Sequence, residues 1–284
     1  MQPTAPSLTV AADGHLHVYP GRDVRLLFES LSRNLKRAAA AASAGNPDLI
    51  LAFLAESAGC HEWERLRRRD PDLPGLGLEI RDGPGPVCLT VSLAGAEPFW
   101  LVAGRQIVTR ERLEILGLAM RAALPDGLPA RETIRRVIEA GGIPVLAWSP
   151  GKWLFARGRR VRALLDGELE PALRIGDSAL RPACWPEPRL MRRARSRGRP
   201  MIPGSDPLPL AGEERAAGRY GFAYRGPFDP AHPAVSIAAL LSGPDATRMP
   251  IGARDSLLAV ARRLFRLRLV RRQSEKRHGH SSCP

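Results

Sequence analysis

The sequence predicts an α/β fold: a TIM-like β/α barrel, either regular or distorted to seven strands, with an antiparallel β insertion. Two observations predict it. Short apolar segments that end in polar residues or glycine alternate with stretches of helical period, which is the pattern of a parallel α/β fold. Between residues 76 and 112 this alternation stops, and strand-like segments follow one another with tight turns and no helix between them.

The first strand is expected at 14–20, GHLHVYP, and a helix follows over 23–45, where apolar residues recur at three- and four-residue steps. A buried strand is expected at 48–57, DLILAFLAES, and a returning helix at 60–69. The antiparallel insertion, 76–112, comes next. These segments predict the first two strand–helix units of a barrel.

After the insertion the alternation resumes as helix, strand, helix, strand, helix, strand and last helix, over 129–142, 143–151, 152–167, 172–178, 187–198, 200–210 and 253–272. We therefore expect a barrel-like domain over 10–257. Residues 258–284 are expected to form a basic amphipathic helix and a disordered tail.

The charge balance favours anionic partners. With 43 basic and 29 acidic residues the net charge is +14, and such a positive field attracts anions. The four cysteines lie far apart without a C-x-x-C pair, which predicts neither a zinc finger nor a disulfide framework. No apolar run has the length of a membrane span, and the first residues lack the features of a signal peptide. We expect a cytoplasmic protein without a membrane span.

Two histidines stand one residue apart at the predicted end of the first strand, in DGHLHVYP. Side chains two residues apart on a strand project to the same side, so His15 and His17 can share one divalent ion. Zinc, manganese and iron all suit such a site. The alternative is a pair of partly buried imidazoles that are hydrogen-bonded to the backbone.

Three acidic residues follow other predicted strands, and the carboxyl ends of parallel strands meet at one face of such folds. Glu56 ends an apolar strand, so its carboxylate must find a proton, a metal or a cation. Asp177 in IGDSALRP is a further candidate ligand, and a salt bridge to Arg181 is its alternative. Asp206 in GSDPLPL is a candidate ligand or a base that orients water, and a turn or helix cap is its alternative.

Lys152, in AWSPGKW, is one of only three lysines, with Lys36 and Lys276. A lysine retained among so many arginines suggests catalysis or the binding of an anion. The alternative is that Trp148 and Trp153 anchor this segment in the core, and that the Lys152 side chain merely extends past them to bring its charge to solvent. The planar guanidinium of Arg181 suits a carboxylate or phosphate of the substrate.

DGHLHVYP and GSDPLPL together resemble the metal-dependent hydrolases of the amidohydrolase and PHP phosphoesterase type, which have TIM-like barrels. The resemblance implies that His15 and His17 bind the metal, and that Asp206 is a ligand or the base. The further histidines that these families place after middle strands are not matched here. SPGKW, GRQIVT and IGDSALRP are also similar to a bacterial group, and this similarity implies no activity.

The leading hypothesis is a metal-dependent hydrolase that acts on a small anionic amide or phosphoester through a metal-activated water. The alternative is a metal-free barrel that acts as a binding or scaffold protein, with its basic C-terminal helix docked on an acidic partner. Nucleic acid is not expected as a partner, because aromatic residues for base stacking are scarce in the arginine-rich runs.

Overall fold

The computed structural model describes residues 5–72, 77–167 and 172–277. Within these residues the strands and α-helices follow one another as β1 (Ser7–Leu16), α1 (Val24–Ala41), β2 (Leu49–Leu54), α2 (Glu62–Arg67), β3 (Glu79–Asp82), β4 (Cys88–Ser92), β5 (Phe99–Val102), β6 (Gly104–Val108), β7 (Glu114–Leu118), α3 (Ala130–Glu139), β8 (Ile143–Ala147), α4 (Phe155–Asp166), β9 (Arg174–Ser178), α5 (Arg189–Ser196), β10 (Met201–Gly204), β11 (Tyr220–Pro227), α6 (Pro233–Ser242), β12 (Arg248–Gly252) and α7 (Leu257–Arg277).

The predicted TIM-like barrel is wrong. The strands pair into two mixed sheets, one of seven strands in the order β12-β11-β1-β2-β5-β4-β3 and one of five in the order β10-β9-β8-β7-β6. A strand has two hydrogen-bonding edges, and those of β1 are occupied by β2 and by the antiparallel β11. Because β10 finds no free edge on β1, the sheets stay separate and the fold is an open α/β fold.

The residues of the expected insertion, 76–112, are divided between the two sheets. The antiparallel strands β3, β4 and β5 extend the seven-stranded sheet, and β5 also pairs in parallel with β2. Strand β6 pairs with β7 at the edge of the five-stranded sheet. One parallel bridge, between Glu56 and Arg105, links the two sheets beyond the end of β2.

Alternate residues of β1 face two different apolar clusters, as the period of a strand requires. Ala11 belongs to a cluster with Phe28 and Leu31 of α1. Val10 and Ala12 belong to a second cluster, which lies between the two sheets. A third cluster packs α3, α4 and α5 on the other face of the five-stranded sheet. Helices α1, α3, α4 and α5 therefore cover the outer faces of the two facing sheets, whereas Ile237 and Leu240 of α6 belong to the second cluster.

The two sheets approach most closely where β1 passes β10, and two glycines make this possible. A Cβ on Gly14 would lie 2.4 Å from Cγ2 of Ile202 and 2.7 Å from the carbonyl oxygen of Pro203. A Cβ on Gly204 would lie 2.4 Å from Cβ of His15. Without side chains at these positions the two backbones can pass within contact distance, which brings the ends of β1 and β10 together.

The helix α7 packs its first turns against the loop that follows β10. Leu267 lies against a small apolar cluster of Leu180, Leu208 and Leu210. Among the described residues, no helix combines the length and apolar character needed to cross a bilayer. The tail that was expected to be disordered lies, from residue 278 onward, outside the described residues.

Two of the described cysteines are free thiols that differ in burial. Cys88 is a buried free thiol and Cys184 an exposed one.

Candidate metal centre

The two histidines lie where β1 ends against β2. The register of this parallel pair shifts between Asp13 and Leu16, so the end of β1 is irregular. A shift in register re-aims the side chains that follow it, and such irregularities are frequent next to functional sites. Both imidazoles are buried, and their Nε2 atoms lie 3.0 Å apart. The two rings therefore point to the same place, as the i, i+2 spacing predicts.

Asp206 supplies the third atom from the loop that follows β10. Its backbone N–H donates to the carbonyl of His15 at 2.9 Å, which ties this loop to the end of β1. Oδ1 of Asp206 lies 3.8 Å from Nε2 of His15 and 3.6 Å from Nε2 of His17. Its other oxygen, Oδ2, accepts a hydrogen bond from Oγ of Ser178 at 2.9 Å. Ser178 thus holds the carboxylate with one oxygen toward the imidazoles.

The backbone at Asp206 is strained. Its φ is +49°, in the left-handed region, which residues other than glycine rarely adopt. Such conformations persist where the surrounding structure holds them, and they are frequent at functional sites. Here the hydrogen bonds of the Asp206 backbone and carboxylate hold it.

Three atoms with these separations have a common centre about 2.0 Å from each of them. Zinc binds imidazole nitrogen at roughly 2.0–2.1 Å and carboxylate oxygen at roughly 2.0–2.2 Å, so the three atoms fit one divalent ion. Within the described part of the chain, His15, His17 and Asp206 form the one cluster with such a set of donors. Three protein ligands leave a coordination position for water, which is the arrangement of catalytic sites.

The protonation states of the cluster suit a metal site. Burial, together with the neighbouring His15, lowers the pKa of His17 to about 3, although the charge of Asp206 opposes the shift. Burial by itself raises the pKa of Asp206, but the two imidazoles and the hydrogen bond from Ser178 outweigh it and lower the pKa overall. His17 is therefore neutral and Asp206 ionised at neutral pH, and these are the forms that bind metal.

Asp13 positions the backbone segments that carry the cluster, a role that the sequence did not predict. Its buried carboxylate accepts the backbone N–H groups of His15 at 3.1 Å, Ser205 at 2.9 Å and Gly218 at 3.0 Å. The hydroxyl of Ser205 also donates to it. Burial raises the pKa of Asp13, and these hydrogen bonds oppose the shift. Asp13 thus joins β1, the β10 loop and the loop before β11.

Two further side chains that the sequence analysis missed contact the histidines. Oε1 of Gln106 lies 3.1 Å from Nε2 of His15, on the side of β6. The ring of Tyr19 stacks on His17 with centroids 5.2 Å apart. The sequence offers a signal for Tyr19 alone, since it stands two residues after His17 and so continues the same side of the strand.

Glu56 lies outside the cluster and has other partners. Its Oε2 lies 2.9 Å from Nη1 of Arg105, and its Oε1 accepts the backbone N–H of Trp63 at 2.7 Å. Burial raises the pKa of Glu56, and the Trp63 N–H and Arg105 oppose this. The carboxylate of Glu56 is therefore neutralised by Arg105 and does not lie beside the histidines.

Asp177 and Arg181 also lie outside the cluster, because they pair with each other. Nε and Nη2 of Arg181 donate to the two oxygens of Asp177 at 2.7 and 2.6 Å, and the hydroxyl of Tyr220 donates to the same carboxylate at 2.7 Å. This buried pair lines a cavity of about 750 Å³ that contains none of the three cluster residues. The structure does not bring either side chain to the histidines.

Lys152 lies in the same cavity as the cluster. This cavity, of about 420 Å³, is lined by His17, Asp206 and Lys152, and by residues of α7. Nζ of Lys152 pairs with Glu114, which also accepts the hydroxyl of Ser149. We call this space the site cavity.

No protein-family model matches the chain, and no curated protein matches it either. Solved structures that are similar to it include three with the following values. PsfC from Pseudomonas syringae PB-5123 is 13% identical, with a TM-score of 0.49, over 94% of this chain and 98% of PsfC. The lesion-specific endonuclease PfuEndoQ from Pyrococcus furiosus is 12% identical, with a TM-score of 0.47, over 85% of this chain and 57% of that one. A complex of Endonuclease Q with a 27-mer duplex substrate is 12% identical, with a TM-score of 0.43, over 84% and 57%.

Similarities of this size identify neither a family nor an activity, and this chain spans little more than half the length of each endonuclease. The complex does overturn one expectation. Its duplex carries an abasic lesion at the active site, so a protein similar to this chain holds DNA there. The prediction that set nucleic acid aside as a partner is wrong, and nucleic acid belongs among the substrates to be tested.

Proposed function

We propose that this chain is a metal-dependent hydrolase that binds one divalent ion through Nε2 of His15, Nε2 of His17 and Oδ1 of Asp206. The observation that carries the proposal is that these three buried atoms share a centre about 2.0 Å from each of them. The H-x-H and late-aspartate pattern of the amidohydrolase and PHP resemblance involves the same three residues. Zinc, manganese and iron are the candidate ions.

A divalent ion bound at such a site lowers the pKa of a water ligand, which is the chemistry that hydrolysis at neutral pH requires. The residues of the chain supply the rest. Asp206 is held by Ser178 and by the His15 carbonyl, so its Oδ1 keeps a fixed position beside the imidazoles. Lys152 lines the site cavity in an ion pair with Glu114, and its ammonium group has further N–H donors that can hold a negative oxygen of the substrate.

The site cavity is large enough for a small molecule or for one unit of a polymer, and its lining is partly basic. An anionic amide or phosphoester fits this lining. A metal-free scaffold, the alternative hypothesis, accounts for the imidazole pair as a hydrogen bond between Nε2 of His15 and Nε2 of His17, but it gives no role to Oδ1 of Asp206 at 3.6–3.8 Å from both nitrogens, which a shared ion does. We therefore favour hydrolysis.

The test is metal analysis of protein purified without a His-tag, after incubation with each candidate ion and removal of the excess. We expect about one ion per chain in the wild type and none in a His15→Ala/His17→Ala variant. His232, which is exposed and pairs with Asp229, offers the matched control, and His232→Ala retains the ion.

Because the tail holds a second H-x-H, at His278 and His280, all proteins in this comparison carry alanine at both positions. Equal metal content in the wild type and the His15/His17 variant refutes the proposal. Where metal binds, hydrolysis of phosphate esters, amides and DNA is then compared between the two proteins.

A further inference from the structure

The basic helix α7 forms one wall of the site cavity. Leu264, Leu267, Arg268 and Arg271 line it together, and positions i, i+3, i+4 and i+7 lie on one face of a helix. The sequence predicted a basic amphipathic helix separate from the domain that carries the site. In the structure, its cavity face meets the candidate metal centre.

Arg263 anchors α7 at this place. Its guanidinium is largely buried and donates to Glu213 at 2.9 Å and to Asp255 at 2.6 Å. It also donates to the backbone carbonyl of Asp206 at 3.3 Å. The helix is thus fixed to the loop that carries a candidate ligand, and the next turns of α7 are positioned relative to the metal centre.

The basic side chains that line the site cavity differ in whether an acidic side chain neutralises their charge. Lys152 is paired with Glu114. Arg268 and Arg271 are exposed and make no ion pair or side-chain hydrogen bond with the described residues. The charge of Arg271 acts on Tyr19, whose ring stacks on His17. Two unpaired guanidinium groups therefore border a cavity that also holds the candidate metal ligands.

We propose that Arg268 and Arg271 bind a phosphate group of the substrate in the site cavity. Two arginines three residues apart on one helix face present two planar forks to the same space. Inorganic phosphate and a phosphate monoester offer three peripheral oxygens and can accept from both forks, whereas a carboxylate offers two oxygens and suits one. This inference rests on the proposed function in that it names the substrate class of the same site as a phosphate ester.

The test measures binding of inorganic phosphate by calorimetry to the full chain as purified, at low salt, without reliance on turnover. The variant Arg268→Gln/Arg271→Gln is compared with Arg262→Gln/Arg272→Gln, which removes the same charge from exposed positions of α7 that do not line the cavity. We expect the phosphate dissociation constant to rise about tenfold or more in the first variant and less than about twofold in the second. Acetate is expected to bind more weakly than phosphate to the wild type.

Equal weakening in the two variants, or no phosphate binding to the wild type at about 10 mM, overturns the inference. Metal content is measured on the same samples. If the wild type holds no metal but phosphate binding depends on Arg268 and Arg271, the proposed function fails and the phosphate site stands. If metal is retained and phosphate binding is unchanged by the first variant, only the phosphate site fails.

A phosphate can come from a small ester or from a nucleic acid strand, and competition separates these sources. A nucleoside monophosphate and a short DNA strand with a terminal phosphate are each used to displace inorganic phosphate. Displacement by either one that is weakened in the Arg268/Arg271 variant supports the inference, and the tighter competitor identifies the source. Displacement that is equally strong in the Arg268/Arg271 variant and in the Arg262/Arg272 variant contradicts the inference.

Discussion

Oδ1 of Asp13 accepts the backbone N–H of Ser205 at 2.9 Å, across 192 positions of sequence. The contact joins β1, which carries His15 and ends just before His17, to the residue before Asp206. The candidate metal centre therefore depends on a buried carboxylate that lies behind it, and the geometry of three ligand atoms is set by hydrogen bonds to the backbone.

Asp13→Asn should weaken both the fold and metal binding. An amide keeps the shape but presents N–H donors to a site where three backbone N–H groups already point inward, and a buried unmatched donor costs about 1–3 kcal/mol. We expect a loss of about 2 kcal/mol in the free energy of unfolding, measured in urea, and metal affinity reduced about tenfold or more. Asp82→Asn, at an exposed strand position, is the control and changes neither quantity. Wild-type stability and affinity in Asp13→Asn contradict this role.

Ser178→Ala should reduce metal affinity without abolishing it. The hydroxyl of Ser178 holds Oδ2 of Asp206, and removal of such an outer partner costs about 10–100-fold in metal affinity. Asp206→Asn, which removes a ligand charge, should have the larger effect. Both affinities are measured by competition with a chelator of known strength. If Ser178→Ala and Asp206→Asn lose equal affinity, Ser178 is more than a positioning residue.

Glu56→Gln should lower stability but keep the metal. The carboxylate of Glu56 pairs with Arg105, which is itself largely buried, so the substitution leaves a cation with a weaker partner. We expect destabilisation of about 1–3 kcal/mol by urea denaturation and unchanged metal content. Arg105→Gln tests the same pair from the other side and should also retain the metal. Loss of metal in Glu56→Gln alone would identify Glu56 as a ligand.

Cys88 should resist alkylation in the native protein, whereas Cys184 should react. Burial raises the pKa of the Cys88 thiol to about 12, so the reactive thiolate is scarce at pH 8 and becomes abundant only near pH 12. Cys184 is exposed. After treatment with iodoacetamide at pH 8, peptide mass mapping should find the label on Cys184, and on Cys88 only in denaturant. Labelling of Cys88 in the native state would show that β4 opens readily.

The sequence alone located much of the candidate site. The two imidazoles lie on one side of the chain because residues i and i+2 of a strand share a face, and this is a local property. Asp206 was likewise predicted to follow a late strand. The three acidic candidates, Glu56, Asp177 and Asp206, could not be ranked, because each lies at a strand end and each needs a partner when it is buried.

Tertiary structure decided which carboxylate joins the histidines and how the strands pair. Glu56 faces Arg105 from β6, and Asp177 faces Arg181 and Tyr220, so Asp206 is left beside the imidazoles. The barrel expectation failed for a related reason. Alternating strands and helices predict the elements, but which edge of β1 meets which strand depends on contacts between residues far apart in sequence, and β11 occupies that edge. The placement of α7 over the cavity has the same origin, because the ion pairs of Arg263 form only once Glu213 and Asp255 have been brought together by the fold.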